Sequence, residues 1–122
     1  MDTSKFQFAH HKLDAWQVAS ELADRGKVVA DRVPRGYRNI ADQLLRSVTG
    51  AEALIAEGAN RFSPKQKRQR YEEARSEAGE VASHLERLYR YELLGEEETA
   101  ELLTLANRVC AMLTGLIRRC SR

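Results

Sequence analysis

At 122 residues and a formal net charge of +2, the chain is long enough for one domain with a real core. It is too nearly neutral for overall charge alone to imply a nucleic-acid ligand. Hydrophobic residues at 43% and charged residues at 31% exclude a disordered chain and suit a helical protein.

No uninterrupted apolar run approaches the roughly 18 residues of a membrane span. The start, Met1-Asp2-Thr3-Ser4-Lys5-Phe6, lacks the apolar core of a signal peptide. A cytoplasmic location with no membrane partner is therefore expected.

Apolar residues recur at spacings of three and four, which predicts amphipathic helices and leaves no alternating run fit for a strand. One domain over residues 1–122 is expected, with helices at about 12–32, 38–58, 64–94 and 96–119. The first carries Leu13, Trp16, Ala19, Leu22 or Ala23, and Val29, and stops before the turn at Pro34 and Gly36. The second turns Ile40, Leu44, Val48, Ala51 and Ile55 inward and takes Gly58 as its C-terminal stop. Ser63 then serves as N-cap, Pro64 fits the first helical position, and Gln66 completes a capping box with Ser63.

The third helix shows Tyr71, Ala74, Ala78, Val81, Leu85 and Leu88 in four-three alternation and runs to about Leu94, where Gly95 closes it. The last opens on Glu96, Glu97 and Glu98 and finishes with Arg118 and Arg119, so both ends suit the helix dipole. It carries two neighbouring apolar stripes, Leu102, Leu105, Val109, Met112, Leu116 and Leu103, Ala106, Cys110, Leu113, Ile117. That doubled width predicts packing against another subunit. The plainer alternative is a helix set deeper in its own bundle. Short connections make successive helices antiparallel neighbours, an all-α, up-down-up-down four-helix bundle.

The chemistry-bearing residues are sparse. Cys110 and Cys120 are too few for a disulfide framework or a redox pair, and Cys110 reads as a small core residue. His10 and His11 precede the first helix, while His84 stands alone with Val81, not glutamate, three residues before it. No metal and no cofactor are expected. Glu57, Glu73 and Glu77 would line an interhelical cleft, but no histidine, thiol or glycine-rich loop joins them, so no enzyme is expected. Glu57 beside Arg61 reads as structural, and Glu86 with Arg90 as an ordinary pair.

Charge placement is more informative. Hairpin-wise folding brings the chain's start, the second-to-third turn and the end of the fourth helix together. That end collects Lys5, Lys12, Arg61, Lys65, Lys67, Arg68, Arg70, Arg118, Arg119 and Arg122 against Asp2, Asp14, Glu57, Glu72 and Glu73. The opposite end is mixed, with Arg32, Arg35 and Arg38 near Glu92, Glu96, Glu97 and Glu98. Cations in the first turns of a helix oppose its dipole by about 0.3–1 kcal/mol each, yet Lys65, Lys67, Arg68 and Arg70 crowd the first two turns of the third helix.

Phosphate binding offers a reason, which makes Arg61, Lys65, Lys67, Arg68, Arg70, Arg118 and Arg119 a candidate nucleic-acid site. Phe62 and Tyr71 would add stacking on unpaired bases. The alternative is that these charges only solvate the helix, with Phe62 as staple and Tyr71 as core.

The runs Leu13-Asp14-Ala15-Trp16-Gln17-Val18-Ala19, Asp42-Gln43-Leu44-Leu45-Arg46, Ile55-Ala56-Glu57-Gly58, Arg61, Ser63 and Glu73-Ala74-Arg75-Ser76 carry a family resemblance. The chain resembles the four-helix-bundle proteins encoded in intervening sequences of bacterial large-subunit ribosomal RNA. Where that family usually has Ser-Ile-Pro-x-Asn, this chain has Gly50-Ala51-Glu52-Ala53-Leu54, and Leu45 replaces a usual arginine. The resemblance implies a ring-like homo-oligomer, typically a homopentamer, with no established enzymatic activity. It is similar also to the accessory protein of diversity-generating retroelements, which implies RNA or DNA and a reverse transcriptase as partners. The leading expectation is a non-enzymatic bundle binding RNA or DNA through its basic end. The alternative is a protein-interaction scaffold with no direct nucleic-acid role.

Overall fold

A computed structural model describes residues 1–121 as four α-helices: α1 (Asp14–Arg32), α2 (Arg38–Asn60), α3 (Pro64–Arg90) and α4 (Glu96–Cys120). Two short 3-10 turns, Thr3–Phe6 and Ala9–Lys12, precede α1, and a third, Arg35–Tyr37, joins α1 to α2. No strand occurs among the described residues. Arg122, a member of the expected basic end, lies outside them.

The helices surround one core as a bundle, with α2 and α4 each packed on both α1 and α3. Leu22, Val29, Leu44, Val48, Ile55, Val81, Leu85, Leu88, Leu102, Val109 and Leu113 are its fully buried large side chains. Burying each such residue contributes about 1.5–3 kcal/mol, which is why the three-four spacing fixes the inward faces. Trp16 and Ile40, expected inward, are only half-buried at the rim. Across α1 and α2, a Cβ on Gly26 would stand 3.0 Å from Val48. Across α2 and α3, Gly50 faces Glu77 and Gly58 faces Tyr71. Arg25 pairs with Glu101 at 2.8 Å and Arg32 with Glu98 at 2.7 Å across α1 and α4.

By length and a mean hydropathy of 1.3 over its most apolar window, α4 is long and apolar enough to cross a membrane. Counting unbroken apolar residues misses this average. In the fold, Leu102, Leu105, Ala106, Val109, Leu113 and Leu116 of α4 are buried against α1 and α3. Part of the doubled stripe is therefore covered by the two neighbours of α4 in its own bundle. Leu103, Cys110, Met112 and Ile117 remain half-buried along its edges.

Two helix ends differ from expectation. The third helix stops at Arg90, not Leu94, because Glu92 turns left-handed at φ 60°. The Leu93 N–H then donates to the Leu88 carbonyl and the Glu92 N–H to that of Tyr89, both at 2.9 Å. That is a Schellman closure with glutamate where glycine is usual. Gly95, expected to close α3, instead stands as N-cap of α4 with ordinary φ.

The second helix runs two residues beyond Gly58, which is helical and is not a left-handed stop. A Cβ there would lie 2.5 Å from Tyr71 Cε1, so the glycine is needed to admit the buried tyrosine ring.

Gly58→Ala gains about 1 kcal/mol of helix propensity but drives a methyl into that ring, at about 1–3 kcal/mol of overpacking. Urea denaturation should show a net loss of up to about 2 kcal/mol; a variant more stable than the parent would mean that Tyr71 yields freely. Glu92→Gly relieves the left-handed glutamate and should add about 0.5–1 kcal/mol, a rise of a few degrees in Tm. An unchanged or lower midpoint would argue against the closure described.

Candidate nucleic-acid interface

The α2–α3 turn, the end of α4 and the start of α1 share one end of the bundle. Asn60 Nδ2 lies 3.1 Å from His10 Nδ1, which ties the N-terminal 3-10 turn to the last turn of α2. Lys12 and Arg119 line one groove with Asp14 and Met112, joining α1 to α4. Burial pushes the Tyr71 phenol above the usual range, and Arg119 at the end of α4 is close enough to oppose that rise.

Arg61 follows α2 as its C-cap. Lys65, Lys67, Arg68 and Arg70 occupy the first two turns of α3, and Arg118 and Arg119 the last turn of α4. Lys5, in the N-terminal turn, rests its amine 5.7 Å from the centre of the Phe6 ring.

The seven candidate cations divide by what holds them. Lys67 Nζ donates to the Ala59 carbonyl at 2.8 Å and to the Gly58 carbonyl at 3.3 Å. It caps the last carbonyls of α2, the orphan one of Ala59 and that of Gly58, which also accepts from the Arg61 N–H. Arg70 bonds Glu73 at 2.9 Å and approaches Glu57 within 3.9 Å, and Arg68 bonds Glu72 at 3.1 Å. Arg61, Lys65, Arg118 and Arg119 are exposed and have no acidic partner within 4 Å among the described residues.

Several sequence expectations change here. Glu57 faces Arg70 across the turn and not Arg61, and Glu86 and Arg90 do not come within ion-pair distance. Glu57 and Glu73 both converge on Arg70, so they do not form an open acidic cleft with Glu77. Glu77 sits apart under Gly50, where desolvation first, and then Glu80, pushes its carboxyl above the usual range. Of the proposed capping box only one arm forms among the described residues: Ser63 Oγ accepts from the Gln66 N–H at 3.0 Å.

The two aromatic candidates part company. Tyr71, 4% exposed, is core and offers no face to a base. Phe62, 99% exposed, is no staple and leaves both ring faces open.

Sequence reasoning missed a second aromatic group. His10 and His11 both meet the edge or face of Trp16, at 4.8 and 5.7 Å between ring centroids, and Phe8 lies beside them. His11 Nδ1 accepts from the Phe8 N–H at 3.1 Å. Desolvation, then the neighbouring His11, holds His10 below its usual pKa. The adjacent histidines a turn and a half before the only tryptophan were the available signal.

Burial pushes the Cys110 thiol up, which leaves it a poor nucleophile. Among the described residues no three histidine, cysteine or acidic side chains converge on a possible metal position. What this end does offer is a set of fixed positive charges, an exposed phenyl ring and shallow grooves between helices.

The fold is shared with a solved structure, a protein of unknown function from the S23 ribosomal protein family of Bacteroides thetaiotaomicron. The two superpose with a TM-score of 0.80 at 23% identity, over 85% of this chain and 95% of that one. No protein of curated function matches the chain. The sequence profile of the 23S rRNA-intervening sequence proteins matches residues 11–115, from His11 on the Trp16 ring to Gly115 in the last turns of α4. With that span covering α1, α2, α3 and most of α4, the chain belongs to the 23S rRNA-intervening sequence protein family.

Proposed function

We propose that this protein is a non-enzymatic, cytoplasmic, up-down-up-down bundle that binds RNA or DNA through the backbone phosphates at its basic end. The observation that carries the reading is the set Arg61, Lys65, Arg118 and Arg119, exposed at one end with no acid in reach among the described residues. Lys65 is the most telling, because it opposes the α3 dipole at about 0.3–1 kcal/mol and gains no partner in return. An anion seated near it would reverse that sign. Phe62 supplies a stacking face beside these charges.

Cross-helix contacts in which residue numbers rise on one helix and fall on its neighbour support the alternating topology. Self-association into a ring-like homo-oligomer, a pentamer, belongs to the same reading and rests on the family resemblance. The exposed tyrosines Tyr37, Tyr89 and Tyr91 at the opposite end give such contacts an apolar surface and leave the basic end free. A reverse transcriptase is the kind of protein partner that resemblance implies.

The cations suited to a test are those that hold nothing else. Exchanging Arg61, Lys65, Arg118 and Arg119 for glutamine should leave Tm near that of the parent. Affinity for a single-stranded RNA should fall at least about tenfold, and the slope of log K against log salt should drop by about 0.7 for each phosphate that is no longer neutralised. Unchanged binding, or binding insensitive to salt in the parent, would remove the reading. A protein partner retained after nuclease treatment and unaffected by these changes would favour a scaffold.

A further inference from the structure

A groove of about 410 Å³ opens between α3 and α4 beside the basic end, lined by Glu72, Arg75, Ser76, Thr114, Ile117 and Arg118. Arg75 Nε donates to Thr114 Oγ1 at 2.9 Å, and that hydroxyl donates in turn to the Cys110 carbonyl at 3.0 Å. A hydroxyl has one proton, and here it goes to the carbonyl, so the oxygen is left to accept from the arginine. Two bonds in series thus fix the guanidinium to the backbone of α4.

The anchor is neutral, which matters for charge. An arginine oriented by a carboxylate is oriented and neutralised together, whereas Arg75 is oriented and keeps its charge. The acid one turn earlier, Glu72, accepts from Arg68 at 3.1 Å. Neither Arg75 nor Arg118 has a carboxylate within 4 Å among the described residues. The terminal N–H groups of Arg75 therefore form an unengaged fork anchored through Nε, in a groove that Ser76 of α3 and Arg118 of α4 also line.

We infer that this groove is a phosphate-binding site in which Thr114 positions Arg75 and Arg118 adds the second cation. The inference takes its ligand from the nucleic-acid reading, under which the phosphate is a backbone phosphodiester. The ligand class follows from the donors: a planar fork suits two oxygens of one tetrahedral anion, and a second guanidinium suits the remaining charge. Arg75 and Thr114 thereby join a site that charge counting alone drew from Arg61 to Arg119.

The test uses the full chain with two probes, a short fluorescein-labelled oligouridylate and inorganic phosphate, and Tm is recorded for every variant. Arg75→Gln should weaken oligouridylate binding about tenfold and lower the salt slope by about 0.7. Thr114→Val leaves the net charge unchanged, so purely long-range attraction would not respond to it. A positioned arginine would bind about two- to tenfold more weakly without its anchor, the cost of ordering one long side chain on binding, with the salt slope retained. Arg75→Lys, which keeps the charge without the fork, should resemble Thr114→Val and serves if Arg75→Gln fails to fold.

Parent-like binding by Arg75→Gln and Thr114→Val, with binding abolished in Arg61→Gln/Lys65→Gln, would overturn the groove and leave the nucleic-acid reading standing. If the parent ignores oligouridylate while phosphate shifts the amide signals of Arg75 and Thr114 in the parent and not in Arg75→Gln, the groove stands and that reading falls. Silence toward both probes overturns both.

Discussion

The basic end is organised by a contact between two helix ends. Because Gly58 has no Cβ, the Tyr71 ring lies against the α2 backbone, and the first turns of α3 come beneath the last turn of α2. From there Lys67 reaches the Gly58 and Ala59 carbonyls. Seen from its own helix the lysine is misplaced, at about 0.3–1 kcal/mol of dipole repulsion. Seen from α2 it is a charged donor on the last carbonyls, worth about 1.5–3 kcal/mol. The second effect is larger, so a cation at the start of one helix is stabilising because it ends another.

That contact sorts the surface charge. Lys67 and Arg70 knit α2 to α3, the latter through Glu57, while within α3 Arg70 is also matched by Glu73 and Arg68 by Glu72. The charges left over are those on the outside of the junction and at the end of α4. A cluster that looks uniform along the chain is therefore two populations, one holding the fold and one facing solvent. The distinction also explains why exposed pairs such as Arg68–Glu72, worth at most about 1 kcal/mol, matter more for cancelling charge than for stability. The Arg75–Thr114 bond is the exception in this set, since it orders a guanidinium without cancelling it.

Much of the architecture was legible in the chain. The three-four spacing of Tyr71, Ala74, Ala78, Val81, Leu85 and Leu88 marked one face of α3, and all six are buried. Ser63 and Pro64 marked its start to the residue. These succeeded because burial and capping are decided by neighbours within a turn or two.

The misses share the opposite cause. Glycine so often ends a helix that Gly58 looks like a stop, but its role is set by a ring on the next helix. Sequence distance pairs Glu57 with Arg61, while the turn presents it to Arg70. Nothing local announces that Glu92 will adopt a left-handed conformation in place of the nearby Gly95. For the site, composition revealed which residues were cationic, and only the fold revealed which were already engaged. Arg75 was visible as part of a family run, yet its hydroxyl anchor lies 39 residues away in α4.

Lys65 and Lys67 lie two positions apart in the same helical turn, and the two-population account assigns them opposite fates. Brief acylation of the folded protein with an amine-reactive reagent, read residue by residue by peptide mass spectrometry, compares them directly. The account predicts that Lys65 is modified several-fold faster than Lys67 and that urea abolishes the difference. Equal rates in the folded protein would contradict it, because the amine assigned to the end of α2 would then be as free as its neighbour.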